Sequence, residues 1–94
     1  IQGSPGYAPA YYLIGRMLYN TRNYSMAAPY LETADYIGLP SERLTSENLR
    51  LLGTALYASG DYEAAAEVFS GLALLSPRDK AYAEDFLGRI NARK

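Results

Sequence analysis

The chain contains no histidine, no cysteine and no tryptophan. Without the first two there is no zinc site of the usual kind, no cysteine nucleophile and no serine–histidine pair. The commonest general base near neutral pH is missing as well, so any chemistry would fall to carboxylates, lysine or tyrosine. No disulfide is possible. Excess charge of either sign is also lacking: nine basic and ten acidic residues are well mixed and leave a formal charge of −1. A nucleic-acid-binding surface calls for a basic patch, and an anionic lipid surface for a polybasic segment. Neither is present, and no apolar run approaches the roughly 20 residues that span a bilayer. Neither nucleic acid nor membrane insertion is expected.

What is present is helical periodicity. Apolar residues make up 49% of the 94 positions, a normal share for a folded chain and enough for one small domain. Ile1–Gly6 has the build of neither a signal nor a transit peptide and reads as a linker or cloning remnant, leaving residues 7–94 as the expected domain. From Tyr7 onward Ala8, Tyr11, Ile14 and Leu18 recur at the three- and four-residue spacing of one helix face. Asn20–Asn23 interrupts that pattern, with Asn23 placed to cap a second helix from about Tyr24 to Tyr36. Its stripe is Ala27, Tyr30, Leu31 and Ala34. Pro29 lies inside it and predicts either a late start or a kink near Ala28. Gly38 and Pro40 end it.

A third helix is expected behind a cap at Thr45 or Ser46, with Leu49, Leu52 and Leu56 as its stripe. Gly60 stops it. Asp61 caps a fourth, running through Leu75 with Ala65, Val68, Phe69 and Leu72 inward. After the break at Ser76–Asp79, a fifth helix runs from about Lys80 to Asn91 with Ala83, Phe86, Leu87 and Ile90 on its apolar face. The short connections favour antiparallel neighbours and an all-α, helix-on-helix architecture.

The helices repeat. Tyr11–Gly15 aligns with Leu49–Gly53 at an offset of 38. Twelve residues past each glycine come Ala27 and Ala65; sixteen past, Leu31 and Phe69; nineteen past, Ala34 and Leu72. Glycine costs about 1 kcal/mol relative to alanine inside a helix, so two of them at equivalent places need a packing reason. A close helix crossing supplies one.

Ser46–Asp79 resembles the tetratricopeptide repeat, a 34-residue helix-turn-helix with the pattern W-x2-L-G-x2-Y, then A-x3-F, then P. Leu49 stands for the aromatic, Leu52-Gly53 for L-G and Leu56 for the tyrosine, while Ala65, Phe69 and Pro77 match outright. Ala8–Ser41 is a looser copy, carrying Tyr11, Ile14, Gly15, Leu18, Ala27, Leu31 and Ala34. Its turn is Arg22-Asn23-Tyr24, without glycine, and Glu42–Thr45 are extra between the repeats. The resemblance implies antiparallel hairpins stacked as a short right-handed superhelix, an α-solenoid, with residues 80–91 as a capping helix.

It also implies a concave groove lined by the first helix of each hairpin, in which a partner's peptide or helix lies. Carried over position by position, the groove residues are Tyr12, Arg16, Tyr19 and Asn20 from the first repeat. The second supplies Glu47, Arg50, Thr54 and Tyr57, and Glu84 is a candidate from the last helix. These lie off the apolar stripe and are expected to be at least partly exposed. The lysine–asparagine clamp for C-terminal carboxylates is missing, since its positions hold Tyr12, Arg16 and Leu51. The expected function is a non-catalytic protein–protein interaction module without cofactor or metal. The alternative is a structural module that self-associates, or docks within a larger assembly, through Phe86, Leu87 and Ile90 of the last helix.

Overall fold

A computed structural model describes residues 7–93. The linker assigned to residues 1–6 lies outside the described residues. Five α-helices follow one another: α1 (Ala8–Asn20), α2 (Tyr24–Ile37), α3 (Glu42–Ala58), α4 (Tyr62–Leu75) and α5 (Lys80–Ala92), with a 3₁₀ turn at Pro77–Asp79 leading into α5. Each packs on the next, α1 on α2, α2 on α3, α3 on α4 and α4 on α5. The result is an all-α helical repeat solenoid, about 43 Å long and 26 Å by 18 Å across.

The repeat offset of 38 locates the core. Ala27, Leu31 and Ala34 in α2, and Ala65, Phe69 and Leu72 in α4, are all completely buried. The two helical glycines sit directly opposite them. A Cβ on Gly15 would come within 2.6 Å of Leu31 Cγ, and one on Gly53 within 2.7 Å of Phe69 Cζ. Each hairpin therefore closes by pushing one large side chain against a bare stretch of backbone. That contact accounts for glycine at two positions where helix propensity argues against it. The helix α5 closes the far side of α4, with Ala83 and Ile90 buried and Phe86 stacked on Phe69, their centroids 4.7 Å apart.

Local chemistry departs from the expected pattern in four places. First, α3 begins at Glu42, one turn before the predicted cap. Ser41 is extended and its Oγ accepts from the Leu44 amide at 3.1 Å, the N-cap bond. The four extra residues thus form an additional turn of α3. Ser46, expected at the helix boundary, is buried within the helix and its Oγ donates back to the Glu42 carbonyl at 2.9 Å.

Second, α2 starts at Tyr24 and runs through Pro29. The proline ring removes one amide donor, and the carbonyl that loses its partner belongs to Ser25, an exposed residue. Third, Asn23 does not cap α2 with its side chain; its Nδ2 donates instead to Thr21 Oγ1 at 2.8 Å. Asp61 does cap α4, accepting from the Ala64 amide. Fourth, Arg22 takes a left-handed conformation, φ 66°, at the position equivalent to Gly60, φ 87°. The turn of the first hairpin keeps the geometry of the second while lacking the residue that adopts it freely.

Candidate functional site

The first helices of successive hairpins, α1, α3 and α5, share one face, and side-chain contacts fix their register. From α1 to α3, the Tyr12 hydroxyl donates to Glu47 Oε2, Arg16 Nη1 lies 4.0 Å from the same oxygen, and Tyr19 lies beside Thr54. From α3 to α5 and its leading turn, Arg50 Nη1 pairs with Asp79 Oδ1 at 3.2 Å. Thr54 Oγ1 shares a 2.7 Å hydrogen bond with the Tyr82 hydroxyl, and the Tyr57 ring meets Phe86 edge-on at 5.2 Å. The partner numbers climb together, so α1, α3 and α5 run parallel. On α3, Arg43, Glu47, Arg50, Thr54 and Tyr57 follow one another at three- and four-residue spacing and form a single stripe along this face.

The stripe is graded in character. At the start of α3 lies a polar pocket of about 270 Å³, lined by Arg43, Ser46, Glu47, Arg50, Arg78 and Asp79. Hydroxyls follow. At the end of α3 is an aromatic cluster in which Tyr57 meets Tyr62 at 5.3 Å and Phe86, and Tyr82 meets Phe86 at 5.2 Å. Tyr19 of α1 packs edge-on against Tyr24 at 5.4 Å. From Arg43 to Tyr57 the stripe runs about 21 Å at the helical rise per residue.

Of the predicted groove residues, Tyr12 is the clear exception. It is 3% exposed and belongs to the core; only its hydroxyl reaches the site, through Glu47. The α1 stripe is thus turned about one residue from the expected one, with Tyr12 and Gly15 buried while Tyr11, Ile14 and Leu18 are half-buried. Burial is the leading reason the Tyr12 phenol is raised above the ordinary tyrosine value, with the Glu47 hydrogen bond next; Arg16 opposes both. The Arg16 guanidinium also sits 5.5 Å from the Tyr12 ring centroid. Burial likewise raises Tyr19, followed by its neighbour Tyr82.

Arg16 is exposed and Glu47, Arg50, Thr54 and Tyr57 are half-buried, all on the shared face. Asn20 is exposed at the last residue of α1. Glu84 falls elsewhere, in a cleft between α4 and α5 with Ser70, Ala73 and Leu74. The contribution of α5 to the shared face is Tyr82 and Phe86. The predicted self-association surface also changes: Ile90 is 1% exposed and Phe86 is stacked on Phe69, which leaves Leu87 bordering that same cleft.

A family model described as tetratricopeptide repeat matches residues 8–37, the α1–α2 hairpin. That hairpin is similar to a tetratricopeptide repeat, and the five-helix, all-helical fold is consistent with a repeat protein of that type. The matched hairpin is the looser of the two copies in the sequence, and the second, 38 residues on, reproduces its glycine contact and its buried positions. No curated protein and no solved structure matches the chain. Tetratricopeptide repeats are in general non-catalytic modules of protein–protein interaction. No helix among the described residues is long and apolar enough to cross a membrane.

Proposed function

We propose that the module binds a segment of a partner protein along the α1–α3–α5 face. The observation that carries this reading is the graded stripe of Arg43, Arg50, Thr54 and Tyr57 on α3, flanked by Arg16 and Tyr19 on one side and Tyr82 on the other. Tyrosine and arginine dominate binding hot spots because each offers a large contact area with a polar tip. A face about 21 Å long accommodates roughly six residues of extended peptide.

A selection from a random peptide library tests this reading. It compares the wild-type module with the triple variant Arg16→Ala/Thr54→Arg/Tyr82→Ala, with far-UV circular dichroism confirming that both are folded. Peptides held by the wild type and released by the variant support the assignment. Equal retention by both moves the binding site to another face.

A second reading is self-association through the α4–α5 cleft. It is favoured by the cleft's volume of about 550 Å³ and by Leu74, which is 88% exposed at its rim. Sedimentation velocity over a hundredfold concentration range distinguishes the two. A dimer abolished by Leu74→Glu supports this second reading, and a monomer throughout removes it.

A further inference from the structure

We infer that the polar pocket at the start of α3 is a receptor for a carboxylate carried by the bound segment, which sets the direction in which that segment lies. The inference rests on the peptide-binding reading of the α1–α3–α5 face.

Three arginines and two carboxylates line the pocket and leave one unit of positive charge. Both carboxylates are already engaged. Glu47 accepts from Tyr12 and faces Arg16; Asp79 accepts from Ser76 Oγ at 2.8 Å and pairs with Arg50 at 3.2 Å. Arg43 and Arg78, both exposed, form no ion pair among the described residues. Two guanidinium groups therefore border a small cavity with no carboxylate of the described residues engaging them.

Arg43 has a further peculiarity. It lies in the first turn of α3, at the positive end of the helix dipole, where a cation is disfavoured and an anion favoured. Glu42 in the same turn offsets this only in part and does not line the pocket. Arg43 also belongs to Glu42–Thr45, the turn that α3 has beyond the usual length of the repeat. The pocket is thus a feature of this chain's added turn and differs from a clamp built on the ordinary groove positions.

Guanidinium groups bind carboxylates through paired, charge-assisted hydrogen bonds. A single carboxylate matches the pocket's net charge of one. A phosphate dianion would bring a second negative charge against Glu47 and Asp79. The favoured occupant is an aspartate or glutamate side chain at one end of a peptide whose other end lies over Tyr57, Tyr62 and Phe86.

The test uses the same library selection. Wild-type binders are expected to carry an acidic group at one fixed end, and a Glu→Gln change there to weaken binding about tenfold. Arg43→Ala/Arg78→Ala in the module should produce the same loss and erase the difference between the Glu and Gln peptides. Arg43→Glu/Arg78→Glu should shift the selected residue to lysine or arginine. Groove-dependent binders with no acidic preference overturn the pocket assignment and leave the peptide-binding reading intact. The absence of any groove-dependent binder overturns both. A phosphoserine peptide that binds more tightly than its glutamate counterpart overturns the choice of carboxylate.

Discussion

Replacing Gly53 with alanine and replacing Gly71 with alanine are the same chemical change in the interior of a helix, and the structure predicts opposite results. In an open position the change gains about 1 kcal/mol from helix propensity. Gly71, on the exposed side of α4, has nothing within 4 Å of the added methyl group and should show that gain. At Gly53 the methyl would lie 2.7 Å from Phe69 Cζ and 2.8 Å from Cε1, about 1 Å inside ordinary contact. The ring is wholly buried and stacked on Phe86, so it has no free side to retreat to.

Overpacking of this kind costs about 1–3 kcal/mol, and a rigid aromatic neighbour places the cost in the upper half of that range. After subtracting the propensity gain, Gly53→Ala should lose about 1–2 kcal/mol. At ~4–8 °C per kcal/mol for a domain of this size, thermal unfolding followed at 222 nm should separate the two variants by about 10 °C or more. Adding Phe69→Leu to Gly53→Ala should lose less than the sum of the two single changes, because the second relieves the first. If Gly53→Ala raised the melting temperature as Gly71→Ala does, the close crossing would not be the reason for this glycine.

Three further predictions concern other parts of the fold. Arg22→Gly should stabilise by about 0.5 kcal/mol, as relief of the left-handed strain slightly outweighs glycine's greater chain entropy; a lower denaturant midpoint would count against it. Asn48→Asp should lose about 3–5 kcal/mol at neutral pH, because it would bury a carboxylate against the Leu31 carbonyl that Asn48 Nδ2 now contacts at 2.9 Å; part of the loss should return in acid as the new carboxyl protonates. In an alkaline titration followed by ultraviolet absorbance, Tyr12 and Tyr19 should ionise late, since burial raises both. Raised folded-state values mean that their contribution to stability is complete below the unfolded value near 10 and is lost as pH rises through the folded values, so Tyr12→Phe should flatten the alkaline fall in stability.

The core was legible because its signal is arithmetic. Small and large residues at fixed distances from two glycines can be read without coordinates, and Ala27, Leu31, Ala34, Ala65, Phe69 and Leu72 all prove to be fully buried. Tyr12 reads as a groove residue in the sequence because a tyrosine satisfies both templates: its ring packs as an apolar residue while its hydroxyl sits where a groove residue belongs. Ser41 does not stand out as a cap in the sequence because Thr45 and Ser46 offer the same chemistry in phase with the standard repeat. Only the observed Ser41–Leu44 bond distinguishes them. Asn48 left a signal that polarity concealed. It lies four residues before Leu52 on the buried face and is completely buried, yet asparagine is not counted in an apolar stripe. Arg43 and Arg78 were out of reach, since their proximity depends on the extra turn of α3 and on the bend at Pro77.

That division bears on how binding and stability are coupled. The solenoid is held together where α2 and α4 wedge between the other helices with apolar side chains, and those contacts lie away from the α1–α3–α5 face. On that face the helices are bridged by Arg16–Glu47, an exposed arginine on a half-buried glutamate, and by Arg50–Asp79, whose carboxylate is buried. A solvent-facing bridge such as Arg16–Glu47 contributes on the order of 0–1 kcal/mol, because water competes for both partners. A ligand can compete for that bridge on the same terms. Arg50–Asp79 is different: drawing Arg50 away would leave the buried Asp79 carboxylate with Ser76 alone, so the exposed Arg43 and Arg78 are the groups that can receive a peptide carboxylate without disturbing the fold. Tyr12 is where the two roles meet. Its ring fills the α1–α2 interior while its hydroxyl holds Glu47 at the rim of the arginine pocket, so a change there alters packing and pocket charge together. The surface residues Arg16, Arg43, Arg78 and Tyr82 are therefore the positions at which recognition can vary while the repeat stays folded.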